Sequence, residues 1–536
     1  MSPALVRTSG SSKLARILSE SGTSLLAAAP AVIVFAIALA DSGRFADPDL
    51  WGHVYFGQAA LNQGHPTLRD PYSYSAPGHL WRNHEWLSEV LMAWLYGMFG
   101  VLGLKLLKLV CTSATILFLA SAESETGAPW VIQAAVLVVA ALAISPQLQF
   151  RPQLFTYVLM SALLALLARR NYRQSGPLWL SIPIFLVWAN LHGGFVVGLG
   201  VLAVFTAGAT LEGLGVAHDW RDSRALWLIT LLSALVTLAT PYGLGTWQAV
   251  FHALSNPLTH KLIRDWQPLV PALVSLSRVR SVALVFPMLS LLLLAALLVS
   301  ISFARNSTDT PLIAVAGFMV AAAFAAVRNL ALATIAASIP LVRHLDLVVA
   351  SFTSPPKRRR LAQSSVDGRH LGWLSQLVLV VLALRIAWVT GLVSGRLESV
   401  EPCPSGAVAF MKQNSLHGNV LSEFGWGEYL IWHLAPDSKV FIDGRYDTVY
   451  PAGIIEDYLA FESGGPEAQR VLKAYPHDFA IVRPLSRAAR LMSEEGNWKL
   501  IYRDPVAECY VRSDSQFAAR FGAPITVRVS PESSFP

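Results

Sequence analysis

The chain has 536 residues, of which 54% are hydrophobic and only 14% charged, with a mean hydropathy of +0.48 and a formal net charge of +7. Soluble proteins carry about 25% charged residues, so a soluble enzyme is excluded and an integral membrane protein with many spans is implied. The surplus of Lys and Arg then encodes topology rather than affinity for nucleic acid, because basic residues gather in cytoplasmic loops.

Arg7, Lys13 and Arg16 precede an apolar run from Leu25 to Ala40. The run is long for a signal peptide, and Asp41 to Asp47 is a poor cleavage site, so an uncleaved first span is expected. A span needs about 20 apolar residues. Helices are predicted near 24–40, 100–120, 130–145, 153–168, 178–191, 194–211, 225–240, 281–304, 311–327, 330–342 and 372–391. These are about eleven spans, which place the two ends of the chain on opposite sides. With the N-terminus inside, the cytoplasmic loops hold Arg169, Arg170 and Arg173, then Arg221 and Arg224, then Arg305, then Arg343, Arg369 and the run PPKRRR at 355–360. Four segments remain outside: the loop 41–99, the turn QFRPQ at 149–153, the loop 241–280, and everything after about 392. They are also the segments richest in aromatic and polar residues.

The loop 41–99 carries two helical patterns, DLWGHVYFGQAALNQG ending at Gly64 and WLSEVLMAWLYGMFG ending at Gly100. Both are read as helices lying at the membrane surface, with Trp and Tyr at headgroup level. Lys105 and Lys108 are expected to snorkel toward the outer interface. From about Glu401 the composition changes to a small α/β domain, with PSGAVAFMKQN, GIIEDYLAFE and EAQRVLKAYP as helices. KVFID and DFAIVR are its strands, and WKLIYR and ECYVR form a closing hairpin on a mostly parallel sheet. The partition is a cytoplasmic N-terminus at 1–23, a membrane domain at 24–391 and an extracytoplasmic α/β domain at 392–536. Of three cysteines, Cys111, Cys403 and Cys509, none has metal-ligand spacing. Cys403 and Cys509 are candidates for pairing if their domain is exported.

Charges beside a membrane are costly, so their clustering is informative. On the outer side they are Asp47, Asp49, His53, Arg82, His84, Glu85, Arg151, His192, Asp265 and Arg328. A water-poor setting raises carboxylate pKa values and strengthens charge pairing, which suits a general base or a phosphate site. Asp47 and Asp49 lie two apart and can face one cavity; Asp49 directly precedes a helix and has the stronger case for capping it. Glu85 opens the next helix and invites the same capping argument. Arg151 and Arg328 are basic residues on the face that usually lacks them, suited to a phosphate or to an internal salt bridge. In WANLHGGFVVG, Asn190 and His192 break two apolar runs, read as a hairpin turn with a buried, hydrogen-bonded Asn. Asp443 and Arg445 end a strand, as an interaction site or as an internal ion pair tying the sheet to the membrane part.

Taken together, DPDLWGHVYFGQ, DPYSYSAPGHLWRNHEWLSEV, FRPQLFTY, WANLHGGFVVG, TPYG, FGWGEYLIWHL and KVFIDGR are similar to motifs of bacterial members of the GT-C superfamily of membrane glycosyltransferases. The resemblance covers most of the chain, and its specificity lies in the combination. It implies a polytopic α-helical GT-C-like protein that transfers a sugar from a polyprenyl-phosphate carrier to a glycan, lipid or protein acceptor. The reaction would lie on the outer face of the bacterial cytoplasmic membrane, with inversion at the anomeric carbon. Carried over by motif, Asp49 or Asp47 is the base, Arg151, Arg328 and Arg82 meet the phosphate, and His84 and Glu85 line the acceptor side with His53 and His192 nearby. Some relatives use a divalent metal, Mg or Mn, and others none. The chain departs from the usual pair of tryptophans by reading Leu50–Trp51–Gly52, a packing change that bears on the pocket. Two other readings stand beside this one. A lipid-linked sugar transporter would need polar residues at mid-membrane depth. A non-catalytic scaffold of a polysaccharide assembly would act through the C-terminal domain.

Overall fold

A computed structural model describes residues 45–214, 220–278, 282–303, 309–353, 396–528 and 534–536. The spans expected near 24–40 and 372–391, and the PPKRRR run, lie outside them. The helices are α1 (Leu50–Gln63) and α2 (Trp86–Phe99), then α3 (Val101–Ser124), α4 (Trp130–Ile144), α5 (Gln153–Arg173), α6 (Ser181–Leu191), α7 (Phe195–Leu214) and α8 (Trp220–Val236). The segment 241–280 folds into α9 (Leu244–Ser255), α10 (Pro257–Leu262) and α11 (Leu269–Arg278), and α12 (Val285–Phe303), α13 (Thr310–Ala325) and α14 (Leu330–Phe352) complete the bundle. Every span predicted within the described residues is therefore a helix. Among the described residues six apolar segments are long enough to cross a membrane: Val101–Ser124, Trp130–Gln147, Gln153–Arg173, Phe195–Gly213, Val285–Phe303 and Val327–Phe352. The chain is a multi-pass membrane protein.

Helix α14 is the core of the bundle. Its residues Leu330–Val342 are all buried, and it packs against α4, α12 and α13. It runs ten residues past the end expected at 342, because the polar residues there are buried and paired rather than released to a loop: His344 Nε2 lies 3.1 Å from Asp309 Oδ1. Lys105 and Lys108 likewise turn inward, each 1% exposed, with Lys108 Nζ 4.5 Å from the centre of the Phe150 ring.

Nine short strands are described: β1 (Phe45–Ala46), β2 (Leu397–Ser399), β3 (Asn419–Ser422), β4 (Lys439–Val440), β5 (Phe479–Val482), β6 (Trp498–Arg503), β7 (Glu508–Arg512), β8 (Ile525–Thr526) and β9 (Ser534–Phe535). Strands β3 to β8 form one sheet of order β4-β3-β5-β7-β6-β8. Its β4-β3-β5 half is parallel, as expected, and β6 and β7 form the antiparallel hairpin. The sheet is thus mixed. Helices α15 (Ser405–Gln413), α16 (Gly427–Leu434), α17 (Ala452–Ser463), α18 (Pro466–Ala474) and α19 (Arg487–Glu494) surround it. All three cysteines are buried and none forms a disulfide, so Cys403 and Cys509 do not pair. A second, three-stranded sheet joins β1, β2 and β9.

Helix α1 is enclosed by protein on its apolar side. Its Leu50, Trp51, Val54 and Phe56 are buried between α2 and α16, and Trp51 meets Tyr429 and Phe535 edge-on. Helix α2 keeps an apolar face outward through Trp94, Met98 and Phe99.

The loop between α1 and α2 becomes a border of the sheet. Val440 accepts the Tyr74 N–H at 3.1 Å and donates to the Tyr72 carbonyl at 3.1 Å. One buried cation locks this junction. Arg445 makes a forked pair with Asp443, Nε to Oδ1 at 2.8 Å and Nη2 to Oδ2 at 2.6 Å, and reaches Asp70 Oδ1 with Nη1 at 2.7 Å. Its guanidinium lies 4.8–5.1 Å from the ring centres of Phe56, Tyr72 and Trp81. Asp443 and Arg445 are thus an internal ion pair. Removing one partner of a buried pair costs about 3–5 kcal/mol, and Lys cannot reproduce a forked, ring-stacked contact. Arg445→Met and Arg445→Lys are both expected to lower the thermal midpoint of the purified protein and to expose the 66–85 segment to limited proteolysis.

Candidate active site

A cavity of about 250 Å³ opens where α1, α2, the turns before α5 and α7, the 256–266 segment and the 443–448 loop meet. Asp49, His53, His84, Glu85, Arg151, His192 and Arg328 all line it, so seven of the nine residues proposed from sequence converge. Asp47 and Arg82 do not line it. Arg82 packs its Cδ and Nε beside Gly245 instead.

The two acids of FADPD divide their roles in the reverse of the capping argument. The Asp47 carboxylate accepts the Asp49 backbone N–H at 3.1 Å, a short Asx turn that fixes the start of α1. The Asp49 side chain makes no cap hydrogen bond and faces the cavity. Glu85, at the head of α2, also makes no cap bond; Asn83 Oδ1 takes the Glu85 N–H at 3.0 Å and leaves its carboxylate to the cavity.

Arg151 gathers three acids. Its Nε is 2.9 Å from Asp47 Oδ1, Nη2 is 3.1 Å from Asp49 Oδ2, and Nη1 is 3.2 Å from Asp265 Oδ2. Its charge is already satisfied by protein. Burial pushes the Asp49 carboxyl up to about 6, with Arg151 opposing and Asp47 adding to the rise. Arg328 differs: among the described residues no carboxylate pairs with it, and its guanidinium lies 4.5 Å from the Trp266 ring centre.

The imidazoles are individually fixed. Trp188 Nε1–H donates to Thr156 Oγ1 at 2.8 Å, and Thr156 Oγ1 and the Gly194 N–H lie 2.7 and 3.0 Å from His192 Nδ1. Nδ1 is therefore an acceptor, and the proton sits on Nε2, 3.5 Å from Glu85 Oε1. Burial pulls the His192 pKa down to about 3, so it is a neutral donor. A Cβ at Gly194 would stand 2.9 Å from Nδ1, which is why the turn needs glycine there. Asn190 holds the same turn through Trp86 Nε1–H, at 3.1 Å, and the Leu186 and Ala239 carbonyls. Burial also opposes ionisation of Glu85, but His84, His192, His53 and Arg328 outweigh it and hold its carboxyl below the usual range.

His53 Nδ1 lies 3.2 Å from Glu89 Oε1, and Asn83 Nδ2 donates to Glu89 Oε2 at 2.5 Å. Burial disfavours the imidazolium, yet Glu89 and Glu85 raise the His53 pKa to about 9. Ligand atoms of His53, Glu85 and Glu89 fall within 4.8 Å of one another. One imidazole and two carboxylates are a donor set that suits Mn, Mg or Zn. Here it fits a cation only if His53 gives up its proton.

Glu89 and Glu428 are cavity residues outside the sequence-based site, and Asp265, one of the outer charges named from sequence, lines the cavity with them. Glu89 and Glu428 are each a lone acid in an aromatic or apolar run, and that isolation was the available signal. Glu428 reaches the cavity from α16 because position 52 is glycine: a Cβ at Gly52 would fall on the Glu428 carboxylate.

No family model and no curated protein matches the chain. Among solved structures it is similar to the apo oligosaccharyltransferase of Archaeoglobus fulgidus, with a TM-score of 0.57 and 11% identity over 92% of this chain and 74% of that one. The same archaeal enzyme in complex with Zn and sulfate matches with a TM-score of 0.52 and 13% identity over 90% and 73%. The mycobacterial arabinofuranosyltransferase AftD matches with a TM-score of 0.50 and 14% identity, over 91% of this chain but 41% of that one. The chain has the GT-C fold.

Because its folded pKa lies above the ordinary 6.5, His53 stabilises the protein fully below about 6.5 and loses that contribution as pH rises through about 9. The shift corresponds to about 3 kcal/mol. Thermal unfolding of wild type and His53→Gln at pH 6, 8 and 10 should show a gap that closes at the highest pH.

Proposed function

We propose that the protein is a glycosyltransferase that takes a sugar from a polyprenyl-phosphate-linked donor and transfers it to an acceptor hydroxyl, with Asp49 as the general base. The single observation that carries this reading is the asymmetry of the cavity on a GT-C fold. Asp49, one of several carboxyls lining it, is held by Arg151 with its pKa raised to about 6, and Arg328 has no carboxylate partner among the described residues. In the transfer, the acceptor O–H bond breaks and its proton passes to Asp49. The acceptor oxygen forms a bond to the anomeric carbon. The bond from that carbon to the phosphate oxygen breaks, and its electron pair leaves with the lipid phosphate. A single displacement of this kind inverts the anomeric centre.

The phosphate is already a good leaving group, so positioning and charge stabilisation are the main demands. Arg328 supplies the charge. Arg151 acts through Asp49: with Asp47 and Asp265 it fixes the direction of the Asp49 carboxylate. Neutral His192 donates toward Glu85, which faces the acceptor side. A divalent cation held by His53, Glu85 and Glu89 would supply extra positive charge near the phosphate; the archaeal enzyme of the same fold has been solved with Zn and sulfate. In cellular terms, the membrane part at 24–391 sits in the bacterial cytoplasmic membrane with the cavity on its outer face. Residues 392–536 lie outside, and the acceptor belongs to the cell envelope.

Asp49→Asn is expected to lower transfer by roughly 10²–10⁴-fold, read by analysis of glycans and lipid-linked sugars in cells with normal protein levels. Unchanged glycans would favour the scaffold or transporter readings. In the wild type the rate should fall on the acid side of about pH 6 as Asp49 takes up its proton. The cation is tested separately by Mn(II) resonance spectroscopy. Binding should strengthen as pH rises toward about 9, where His53 loses its proton, and should vanish in Glu85→Gln/Glu89→Gln.

A further inference from the structure

Glu428 is a buried carboxyl with no evident task in the fold. It stands in the first turn of α16, is 4% exposed, and lines the cavity. Its Oε2 has no hydrogen-bond partner among the described residues. An orphaned buried carboxyl oxygen is costly unless something meets it. Its surroundings offer no cation for the purpose, because Arg445 is already shared by Asp443 and Asp70. Two glycines make room for it. A Cβ at Gly52 would fall on its carboxyl group, and a Cβ at Gly444 would stand 2.6 Å from Glu428 Oε1 and 2.9 Å from Asp49 Oδ1. The two carboxyls therefore flank one point on the cavity wall.

The wall around that point comes from the C-terminal domain. Tyr446, Asp447 and Thr448 continue it, and the Tyr446 hydroxyl, beside Thr259, is buried without a hydrogen bond of standard geometry. These groups are carboxyls and hydroxyls, which match hydroxyl groups on a ligand. Building on the transfer reading, we infer that Glu428 belongs to the acceptor subsite, and that the acceptor is a sugar presenting neighbouring hydroxyls, one held by Glu428 and the other presented to Asp49. Burial, together with the carboxylates of Asp49, Asp443 and Glu89, pushes the Glu428 carboxyl well above the usual range, which favours its protonated form. A protonated carboxyl both donates and accepts, as a sugar hydroxyl does. It takes no part in bond making: the proton released in transfer goes to Asp49.

A peptide is the competing acceptor, since the archaeal oligosaccharyltransferase of this fold has been captured with a tethered peptide carrying the NVT sequon. The two are separated by saturation-transfer NMR on the full chain in a detergent without a sugar headgroup. The probes are methyl hexopyranosides, their mono-deoxy forms, and a capped Asn-Val-Thr peptide. Wild type should transfer saturation to the hexopyranosides, weakly to one or more deoxy forms, and not to the peptide. Glu428→Leu should lose the sugar signal by roughly tenfold or more, while Glu428→Gln, which keeps a donor and an acceptor, should retain most of it. Peptide binding without sugar binding overturns the inference, and so does a full sugar signal in a folded Glu428→Leu protein. The wild-type comparison needs no variant, so misfolding of a mutant leaves the test intact. Because the readout is binding, its failure is distinct from failure of the transfer reading, which is judged by Asp49→Asn in cells.

Discussion

The arrangement depends on Arg445. Two carboxylates from distant parts of the chain, Asp70 and Asp443, meet on one guanidinium roofed by three aromatic rings. Neither acid could be buried alone, since an unpaired charge in a low-dielectric interior is far more costly than a paired one. The Tyr450 hydroxyl takes up part of the remaining negative charge by donating to Asp443 Oδ2 at 2.5 Å. The pairing sets the register between the α1–α2 loop and β4. It thereby brings α16 and the 443–448 loop over the mouth of the cavity, which would otherwise lack one wall.

Arg151 plays the corresponding part inside the cavity. It holds three acids, yet each has a different exposure and a different consequence. Asp47 is buried beside the start of α1, Asp265 is the most exposed of the three, and Asp49 lines the cavity with a pKa raised by burial. A base needs to be ionised at working pH and still basic enough to accept a proton. Burial near one shared arginine satisfies both conditions. Arg328 is the complementary case. It lies over Trp266 with no carboxylate paired to it among the described residues, which leaves its charge available to something brought from outside.

Much of this was legible in the sequence. Hydrophobic runs located the helices, because the length of an apolar stretch is a direct consequence of bilayer thickness. Basic residues read as running against the expected charge bias pointed to Arg151 and Arg328, and the broken apolar run pointed to His192. Orientation was not legible. Asp49 precedes a helix and so argued for capping, but whether a side chain turns back to the backbone or outward depends on a turn set by Asp47. Arg82 lies beside His84 in the chain, yet it points away. The depth of α1 was hidden too, since its alternation of aromatic and small residues suits a membrane surface as well as an interface with α16. Glu428 lies hundreds of residues from Asp49, and only the Arg445 junction makes them neighbours.

Gly52 has no side chain, and the space that a side chain would take there is filled by Glu428. The two positions therefore constrain each other across the junction between the helical bundle and the sheet. A chain with any larger residue at 52 has no room for the Glu428 side chain in this rotamer, and a chain lacking the carboxyl has no physical need of the glycine. Substitutions at the two sites should thus appear together across diverging relatives.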